Sequence, residues 1–333
     1  MKLLFLGGTG FLGRYLVEAA LASGHEVTLF NRGKTNPDLF AEVEKIRGNR
    51  DGGLEVLSGR TWDAVLDTSG YLPRLVEQSA KLIADWAALY VFISTISVYA
   101  PGKGASRIDE RTPVATTTNP ADESMSRENY GPLKVLCENV VRDYFPTRAL
   151  FIRPGILVGP HDTSDRFNYW VHKVAQGGTV IAPGDGTQPI QVIDVRDLCP
   201  WIITLVERRL TGYFNAVGPA VPMTLRRMLD ECRNATKSDT TFAWIDSQEL
   251  KKASLELPLS VGDKEDYWIF SVDPARAIGA GLTLRPLAET ARDVNNWLRQ
   301  FGLRYKPQAG LSPEQERQLL SLAAARAAGD KSR

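Results

Sequence analysis

Cysteine is scarce in this chain of 333 residues, and neither sign of charge is in excess. The three cysteines, Cys137, Cys199 and Cys232, are odd in number and far apart, which argues against a disulfide framework or a cysteine-rich metal site and favours a reducing compartment. Lys plus Arg (40) nearly balance Asp plus Glu (39), so the formal net charge is +1. The composition therefore lacks the basic surplus that is typical of nucleic-acid-binding proteins.

Long apolar runs are also missing. The apolar run over residues 3–6 ends at Gly7, which makes it shorter than the roughly 7–15 apolar residues of a signal peptide. No segment approaches the roughly 18 consecutive apolar residues that a membrane-spanning helix needs. We therefore expect a soluble protein of the cytoplasm. His161 and His172 have no partner at metal-ligand spacing, so we expect no metal site.

Short apolar strands alternate with amphipathic helices through the first half of the chain. An apolar strand over residues 3–6, a helix over 11–23 capped by Gly24, and a strand over 27–30 form a βαβ unit. Further strands are predicted over residues 64–67, 89–94 and 149–153, with helices over 75–88 and 133–144. This alternation predicts an α/β fold with a doubly wound parallel (Rossmann) sheet.

The pattern changes after about residue 155, where Gly and Pro interrupt shorter pieces. We predict a dinucleotide-binding Rossmann domain over residues 1–155. A smaller C-terminal substrate-binding lobe follows over 156–310, with some chain returning to the Rossmann core. Residues 311–333 are predicted to form a C-terminal helix with a frayed tail.

A glycine-rich turn with the spacing G-x-x-G-x-x-G lies between the first strand and the first helix. Its first glycine permits the tight turn, the second lets backbone N–H groups approach a pyrophosphate, and the third lets helix and strand pack closely. The diphosphate then lies at the positive end of the helix dipole. The turn therefore predicts a dinucleotide cofactor site formed by Gly7, Thr9, Gly10, Phe11, Leu12 and Gly13.

The end of the second strand indicates which nicotinamide cofactor is bound. NAD-specific sites usually carry a carboxylate there that binds the ribose 2′-hydroxyl. This chain instead has Asn31, Arg32 and Lys34, and two cations suit a 2′-phosphate that a carboxylate would repel. We therefore predict NADP(H), with NAD(H) as the weaker alternative.

Tyr130 and Lys134 are four residues apart, which places them on one face of a helix. A nearby ammonium lowers the pKa of a phenol and makes it usable as a general acid or base. Because Pro132 lacks an N–H and is tolerated only in a first turn, the helix is predicted to begin at about Tyr130. Upstream, residues 94–97 bring Ser and Thr hydroxyls to the end of a buried strand, where they would face a cofactor.

With these residues in view, the chain resembles the extended short-chain dehydrogenase/reductase family, which includes nucleotide-sugar epimerases and dehydratases. The resemblance covers about residues 1–300. It rests on residues 7–13, 94–99, Tyr130 with Lys134, Arg153-Pro154-Gly155-Ile156-Leu157-Val158-Gly159-Pro160, and Val192-Ile193-Asp194-Val195-Arg196-Asp197.

The resemblance implies roles for particular residues. Thr95 falls on the catalytic hydroxyl, with Ser94 or Ser97 able to share its role. Tyr130 would exchange the proton while a hydride passes between the nicotinamide and a substrate carbon. The residues placed along the cofactor are Asn49 near the adenine, Thr68, Ser69 and Gly70 after the fourth strand, Lys134 at the nicotinamide ribose and Gly155 near the carboxamide. Homodimerisation through the helices over 75–88 and 133–144 is common in that family.

The substrate end of the sequence departs from the nucleotide-sugar members. Many of them carry an arginine for the diphosphate where this chain has Ile190, although Arg153, Arg166 or Lys173 could substitute. Residues 161–170 mix aromatic and polar groups and are predicted to line a substrate pocket, although its aromatic side chains could equally pack the core of the lobe. The candidate substrate residues are Ser97, Arg166, Phe167 and Trp170.

Three functions follow as alternatives. The first is an NADP(H)-dependent oxidoreductase of a polar carbonyl or alcohol with a Thr95, Tyr130 and Lys134 catalytic set. The second is a nucleotide-sugar epimerase or dehydratase, which returns its hydride and gains nothing from a separate NADP pool. The third is a non-catalytic cofactor-sensing or RNA-associated protein. Both the Tyr/Lys pair and the balanced charge argue against this third function.

Overall fold

The computed structural model describes residues 1–100, 105, 107–261 and 263–330, apart from the side chains of Leu303 and residues 322–330. The strands are β1 (Lys2–Leu6), β2 (Glu26–Asn31), β3 (Glu44–Arg47), β4 (Ala64–Asp67), β5 (Tyr90–Ile93), β6 (Ala149–Pro154), β7 (Ile156–Val158), β8 (Thr179–Pro183), β9 (Pro189–Ile190), β10 (Val192–Asp194), β11 (Gly212–Ala216), β12 (Met223–Thr224) and β13 (Thr241–Ile245). The α-helices are α1 (Phe11–Ala22), α2 (Pro73–Ile83), α3 (Arg127–Tyr144), α4 (Arg166–Ala175), α5 (Val195–Glu207), α6 (Leu225–Thr236), α7 (Ser247–Lys252), α8 (Ala275–Gly279), α9 (Leu287–Arg299) and α10 (Pro313–Asp330).

The chain divides into two compact units. Unit 1 comprises residues 1–155, 195–217 and 272–283, and unit 2 comprises residues 156–194, 218–271 and 284–333. Unit 1 contains a seven-stranded sheet with the order β11-β6-β5-β4-β1-β2-β3, in which every neighbouring pair is parallel. This order is that of a doubly wound Rossmann sheet with one added strand, so the predicted fold class is confirmed.

Burial on both faces explains why the central strands form where the apolar runs predicted them. Leu3, Leu4 and Phe5 of β1 have no exposed surface, and β4 and β5 are buried along their whole length. Helices pack on a parallel sheet from both sides, so such strands read as continuous apolar runs rather than alternating ones. The carboxyl ends of β1, β4 and β5 therefore meet at one edge of the sheet.

Two strands and two helix boundaries of unit 1 differ from the sequence prediction. The helix predicted to reach residue 88 ends at Ile83. The edge strand β3 and the distant β11 lacked a predictive pattern, and β11 returns to the sheet from beyond residue 155. The prediction that the helix carrying Lys134 begins at Tyr130 is wrong, since α3 begins at Arg127. Its N-cap is Ser126, whose hydroxyl accepts from the Asn129 N–H at 3.1 Å. The cap starts the helix ahead of Pro132, which therefore lies in the second helical turn.

Unit 2 is built from two-stranded sheets and helices around its own apolar core. β13 pairs in parallel with β8, β10 pairs in parallel with β7, and β12 pairs antiparallel with β9. Helices α4, α6 and α9 contribute buried residues to the core. The C-terminal helix α10, predicted as a separate tail, belongs to unit 2, where Lys173 of α4 pairs with Glu316 at 2.5 Å.

Cys137, Cys199 and Cys232 are buried, and in the described part of the chain none of them forms a disulfide. Within the residues that the structure describes, no helix is long and apolar enough to span a membrane. Over the same residues, no group of three or more His, Cys, Asp or Glu side chains is arranged to hold a metal ion.

Candidate active site

The glycine-rich turn leaves β1 in a conformation that only glycine adopts readily. Gly7 and Gly8 have φ angles of +112° and +91°. The neighbouring end of β4 braces the turn, because the Gly8 N–H donates to Thr68 Oγ1 at 3.3 Å while the Thr68 and Ser69 hydroxyls both donate to the Leu6 carbonyl. The two hydroxyls predicted to lie along the cofactor therefore support the turn itself.

The turn has the features that a pyrophosphate requires. A Cβ built on Gly13 would lie 2.9 Å from Gly8 Cα, so the third glycine allows α1 to pack closely on the turn. A Cβ on Gly10 would meet nothing within 4 Å, so the second glycine faces open space. The described N-terminus of α1 has no side-chain cap and no acidic residue in its first turn. The N–H groups of a first helical turn and the positive end of the helix dipole suit a phosphate.

Asn31 links the turn to the loop that follows β2. Its Nδ2 donates to the Gly7 carbonyl at 2.9 Å, and its Oδ1 accepts from the Gly33 N–H and from Arg47 at 2.6 Å. Parallel pairing places Arg47 of β3 directly beside Asn31. Arg32 and Lys34 are exposed in the same loop. Three cations therefore lie at the end of β2, where the sequence predicted two.

A buried ion pair underlies the end of β4. Arg50 donates to both carboxyl oxygens of Asp67, at 2.8 and 2.6 Å, and Asp67 has no exposed surface. Burial disfavours the charged carboxyl, but the Arg50 guanidinium outweighs it and holds the pKa of Asp67 below its usual value. Asp67 Oδ1 also accepts the Ser69 N–H at 3.1 Å. The pair thus holds the backbone that braces the glycine-rich turn.

Lys134 is buried at the same edge of the sheet. Its Nζ donates to the Gly70 carbonyl at 2.6 Å, after β4, and to the Ile93 carbonyl at 2.7 Å, at the end of β5. The Phe92 ring lies 4.1 Å from the ammonium and the Tyr71 ring 5.4 Å away. Burial lowers the pKa of Lys134 to about 8. The ammonium is therefore fixed in place and close to its own titration near neutral pH.

Thr95 and Ser97 form a pair of hydroxyls just beyond β5. Thr95 Oγ1 accepts from the Ser97 N–H at 3.1 Å and lies 3.2 Å from Ser97 Oγ. A Cβ on Gly131 of α3 would lie well under 3.0 Å from the Ser97 carbonyl oxygen. The helix therefore approaches this segment at a distance that only glycine allows, and Gly131 lies between Tyr130 and Lys134 in the sequence. Unit 1 thus brings the Thr95 segment, Tyr130 and Lys134 to one edge.

Ser94 adds a further polar group at this edge. It is buried, and its Oγ has no hydrogen-bond partner among the described residues. Because such buried hydroxyls are normally satisfied, this one suits a polar group of a bound cofactor. Gly155 follows β6, where its N–H donates to the Ala216 carbonyl and a Cβ would lie 2.8 Å from Val217. Asn49 is exposed, and its Oδ1 accepts the Asp51 N–H at 3.3 Å.

The predicted substrate residues of unit 2 do not all face solvent. Phe167 and Trp170 have no exposed surface and belong to the core of unit 2, where the Trp170 indole N–H donates to the Pro258 carbonyl. The prediction that they line a pocket is therefore wrong, because the apolar face of α4 that carries them is the face that packs. Arg166 is exposed, with its Nε 3.2 Å from Ser164 Oγ. Ile190 is buried in the same core.

Two of the cations that could replace the arginine missing at Ile190 are already paired. Arg153 is buried and forms an ion pair with Glu138 at 2.6 Å, and Lys173 pairs with Glu316. Each would have to leave a carboxylate before it could bind a diphosphate. Of the three candidate substitutes, Arg166 is the one that is exposed and outside an ion pair in the described part of the chain.

Sequence reasoning missed Arg47 and Arg50. Arg47 lies in a four-residue edge strand, Glu-Lys-Ile-Arg, whose pattern is not apolar enough to predict a strand. Arg50 lies in a polar loop and reads as a solvated cation. Its partner Asp67 ends an apolar strand, and this buried carboxylate is the signal that could have indicated a buried cation, since buried charges are paired.

Comparison with known proteins agrees with this architecture. The profile of the NAD dependent epimerase/dehydratase family matches residues 3–216. The UDP-glucuronic acid 4-epimerase of Bacillus cereus, solved with NAD, is similar over 91% of this chain and 100% of its own, with a TM-score of 0.67 and 15% identity. The human epimerase family protein SDR39U1, solved with NADPH, covers 89% of this chain and 99% of its own, with a TM-score of 0.63 and 20% identity.

Two curated sequences are similar to about two thirds of this chain. The chloroplast stem-loop binding protein of 41 kDa b from Arabidopsis thaliana is 25% identical over 235 residues, which is 65% of this chain and 58% of that protein. The chain therefore spans little more than half the length of this relative. The epimerase family protein SDR39U1 of Bos taurus is 25% identical over 246 residues, 67% of this chain and 76% of that protein. Since the family profile covers well over half of the residues, the chain belongs to the NAD dependent epimerase/dehydratase family.

Proposed function

We propose that this chain is an NADP(H)-dependent oxidoreductase that transfers a hydride to or from a polar carbonyl or alcohol. The observation that carries the proposal is the fixed ammonium of Lys134, which two backbone carbonyls hold one helical turn from Tyr130. A positive charge at that place stabilises a phenolate and makes Tyr130 a usable proton donor or acceptor.

The residues of unit 1 suit distinct roles in this reaction. A bound nicotinamide cofactor would supply or accept the hydride. The phenol oxygen of Tyr130 would give a proton to the substrate oxygen or take one from it. The Thr95 hydroxyl, oriented by the Ser97 N–H, would hold that same oxygen by a hydrogen bond. Lys134 would keep its charge beside the phenol and contact the cofactor ribose.

The preference for NADP(H) is supported by the cations at the end of β2. Arg32 and Lys34 are exposed, and neither forms an ion pair or hydrogen bond with the residues that the structure describes. Arg47 is fixed beside them by Asn31. A 2′-phosphate would form charge-assisted hydrogen bonds with such a set. The human SDR39U1 structure contains NADPH, whereas the epimerase structure contains NAD.

Two measurements test the proposal. Titration with NADPH and NADH should show tighter binding of NADPH, and Arg32→Ala should remove most of that difference while leaving NADH binding unchanged. NADPH oxidation with a panel of polar aldehydes and ketones should then detect turnover that Tyr130→Phe abolishes without loss of NADPH binding. Equal affinity for NADPH and NADH would contradict the proposed preference for NADP(H). Substantial turnover by Tyr130→Phe would contradict the proposed role of Tyr130 in proton transfer.

A nucleotide-sugar epimerase or dehydratase is the alternative that family membership and the similar epimerase structure favour. The buried Ile190 counts against it, because no diphosphate can pair with an isoleucine in a core. Incubation with UDP-glucose and UDP-glucuronic acid separates the two, since epimerisation without net change of cofactor selects this alternative.

An RNA-associated role is favoured by one observation, the similarity to a chloroplast stem-loop binding protein. The net charge of +1 offers no excess of cations for a phosphate backbone. Binding of a stem-loop RNA that falls steeply with salt, in a chain that oxidises no NADPH, would select this function.

A further inference from the structure

A chain of buried hydrogen bonds in unit 1 runs beside the residues assigned to the reaction. The Glu138 carboxylate accepts from Arg153 Nε at 2.9 Å and from Arg153 Nη2 at 2.6 Å. Arg153 Nη1 donates to the Tyr99 hydroxyl oxygen at 3.0 Å, and that hydroxyl donates to Asn215 Oδ1 at 2.6 Å. The four side chains are at most 4% exposed. We call Tyr99, Glu138, Arg153 and Asn215 the buried network.

The chemistry of these groups allows one arrangement of the bonds. A guanidinium only donates and a carboxylate only accepts, so the Tyr99 oxygen must accept from Arg153 and its proton must go to Asn215. The Arg153 guanidinium also lies 4.4 Å from the Tyr213 ring and 4.9 Å from the Tyr99 ring. Rotation or sliding of any one member would leave a buried charge or hydroxyl without its partner, which is costly.

The buried network joins the two segments that carry the proposed catalytic groups. Glu138 lies on α3, one turn beyond Lys134 and two turns beyond Tyr130. Tyr99 lies four residues beyond Thr95, after one turn of 3-10 helix. The other two members lie on the neighbouring strands β6 and β11 of the central sheet. The buried network therefore anchors both segments, α3 and the Thr95 segment, to the same two strands of the central sheet.

Stability alone is a weak explanation for a buried ion pair at this position. Taking two charges out of water costs about as much as their attraction returns, and apolar replacements are often equally stable. Position is a better explanation, because α3 meets the Thr95 segment at a contact that excludes even a Cβ on Gly131. A small rotation of α3 would change the distance between the Tyr130 phenol and the Thr95 hydroxyl.

We propose that the buried network positions Tyr130 and Thr95 relative to each other and so sets the rate of the proton transfer step. Its members are positioning residues, since they act through α3 and through the Thr95 segment. This inference rests on the proposed function.

The test removes one oxygen atom from the buried network and one from a matched site. Tyr99→Phe deletes the hydroxyl that links Arg153 to Asn215, while Tyr213→Phe deletes a hydroxyl from the other ring beside the same guanidinium. With the carbonyl that wild type reduces best, kcat of Tyr99→Phe should fall roughly 10- to 100-fold, with KM, NADPH affinity and the far-UV spectrum close to wild type. Tyr213→Phe should retain the wild-type kcat.

A second variant distinguishes loss of positioning from loss of folding. The double replacement Glu138→Leu with Arg153→Met removes both charges together, so no ion is left buried alone, and Tyr99 keeps Asn215 as its acceptor. We expect it to fold, to bind NADPH and to lose kcat as Tyr99→Phe does. A kcat equal to wild type in either variant overturns the inference. If Tyr130→Phe is inactive while Tyr99→Phe is fully active, only this inference fails, whereas a fully active Tyr130→Phe overturns the proposed function as well.

Discussion

Replacing Gly131 by alanine inserts one methyl group at the closest approach between α3 and the Thr95 segment. The added Cβ would lie well under 3.0 Å from the Ser97 carbonyl oxygen, whereas ordinary van der Waals contact begins at 3.4 Å. The neighbouring atom is backbone, so it cannot rotate away, and α3 or the segment must move by roughly 1 Å. A displacement of about 1 Å between reacting groups can cost about 100-fold in rate.

We therefore expect Gly131→Ala to lower kcat by about two orders of magnitude and to reduce the free energy of unfolding by about 1–3 kcal/mol through overpacking. Gly279→Ala is the matched control, because Gly279 lies in α8 of the same unit and a Cβ there meets nothing within 4 Å. NADPH oxidation and urea unfolding measure the two effects. A Gly131→Ala variant with the kcat of wild type would refute the argument that this contact sets the site geometry.

Three further changes test other parts of unit 1. Gly10→Ala should fold normally, since its Cβ meets no protein atom, but should lose most NADPH affinity in a fluorescence titration because the methyl group occupies the space for the pyrophosphate. Arg50→Met should lower the free energy of unfolding by about 3–5 kcal/mol, because it leaves the Asp67 carboxylate buried without its guanidinium partner. The pKa of Asp67 is held below its usual value, so the contribution of this pair is complete above a pH of about 4 and is lost as the pH falls through the lowered pKa. The deficit of the variant in urea unfolding should therefore shrink in acid, and an equal deficit at every pH would count against the pair. Burial lowers the pKa of Lys134 to about 8, so the charge beside the phenol is present below that pH and kcat should decline above it. A kcat that stays constant to pH 10 would contradict this role.

The elements that sequence predicted well are those whose signal is local. β1 and β4 are apolar runs that the sheet buries on both faces, and α1 begins beside a glycine turn and ends before Gly24. The elements that were missed depend on distant residues. β3 is held as a strand by its pairing with β2, and β11 joins the sheet by pairing with β6, more than 50 residues earlier in the chain.

The candidate site divides in the same way. The glycine turn and the Tyr130 and Lys134 pair are visible in sequence because their spacing follows from a single turn or helix. Phe167 and Trp170 were ambiguous, because an amphipathic helix carries aromatic side chains equally well toward a core or a pocket. The partners of Asp67 and Glu138 could not be predicted, since the carboxylates and the arginines that pair with them lie 17 and 15 residues apart and meet only once the sheet has formed.

The buried charges of unit 1 differ in how they are compensated. Of the Asp, Glu, Lys and Arg residues that are buried in the described part of unit 1, Arg50 pairs with Asp67 and Arg153 pairs with Glu138. Lys134 is the fifth, and its ammonium donates to two uncharged backbone carbonyls. The excess positive charge of this buried set therefore resides on Lys134. A carboxylate beside that ammonium would cancel its field, whereas carbonyl oxygens fix its position and leave the charge able to stabilise an anion. Burial removes water from the ammonium and so disfavours its charged form, which is why the pKa of Lys134 is lowered. The phenolate form of Tyr130 is the anion whose attraction to the ammonium would offset that desolvation cost.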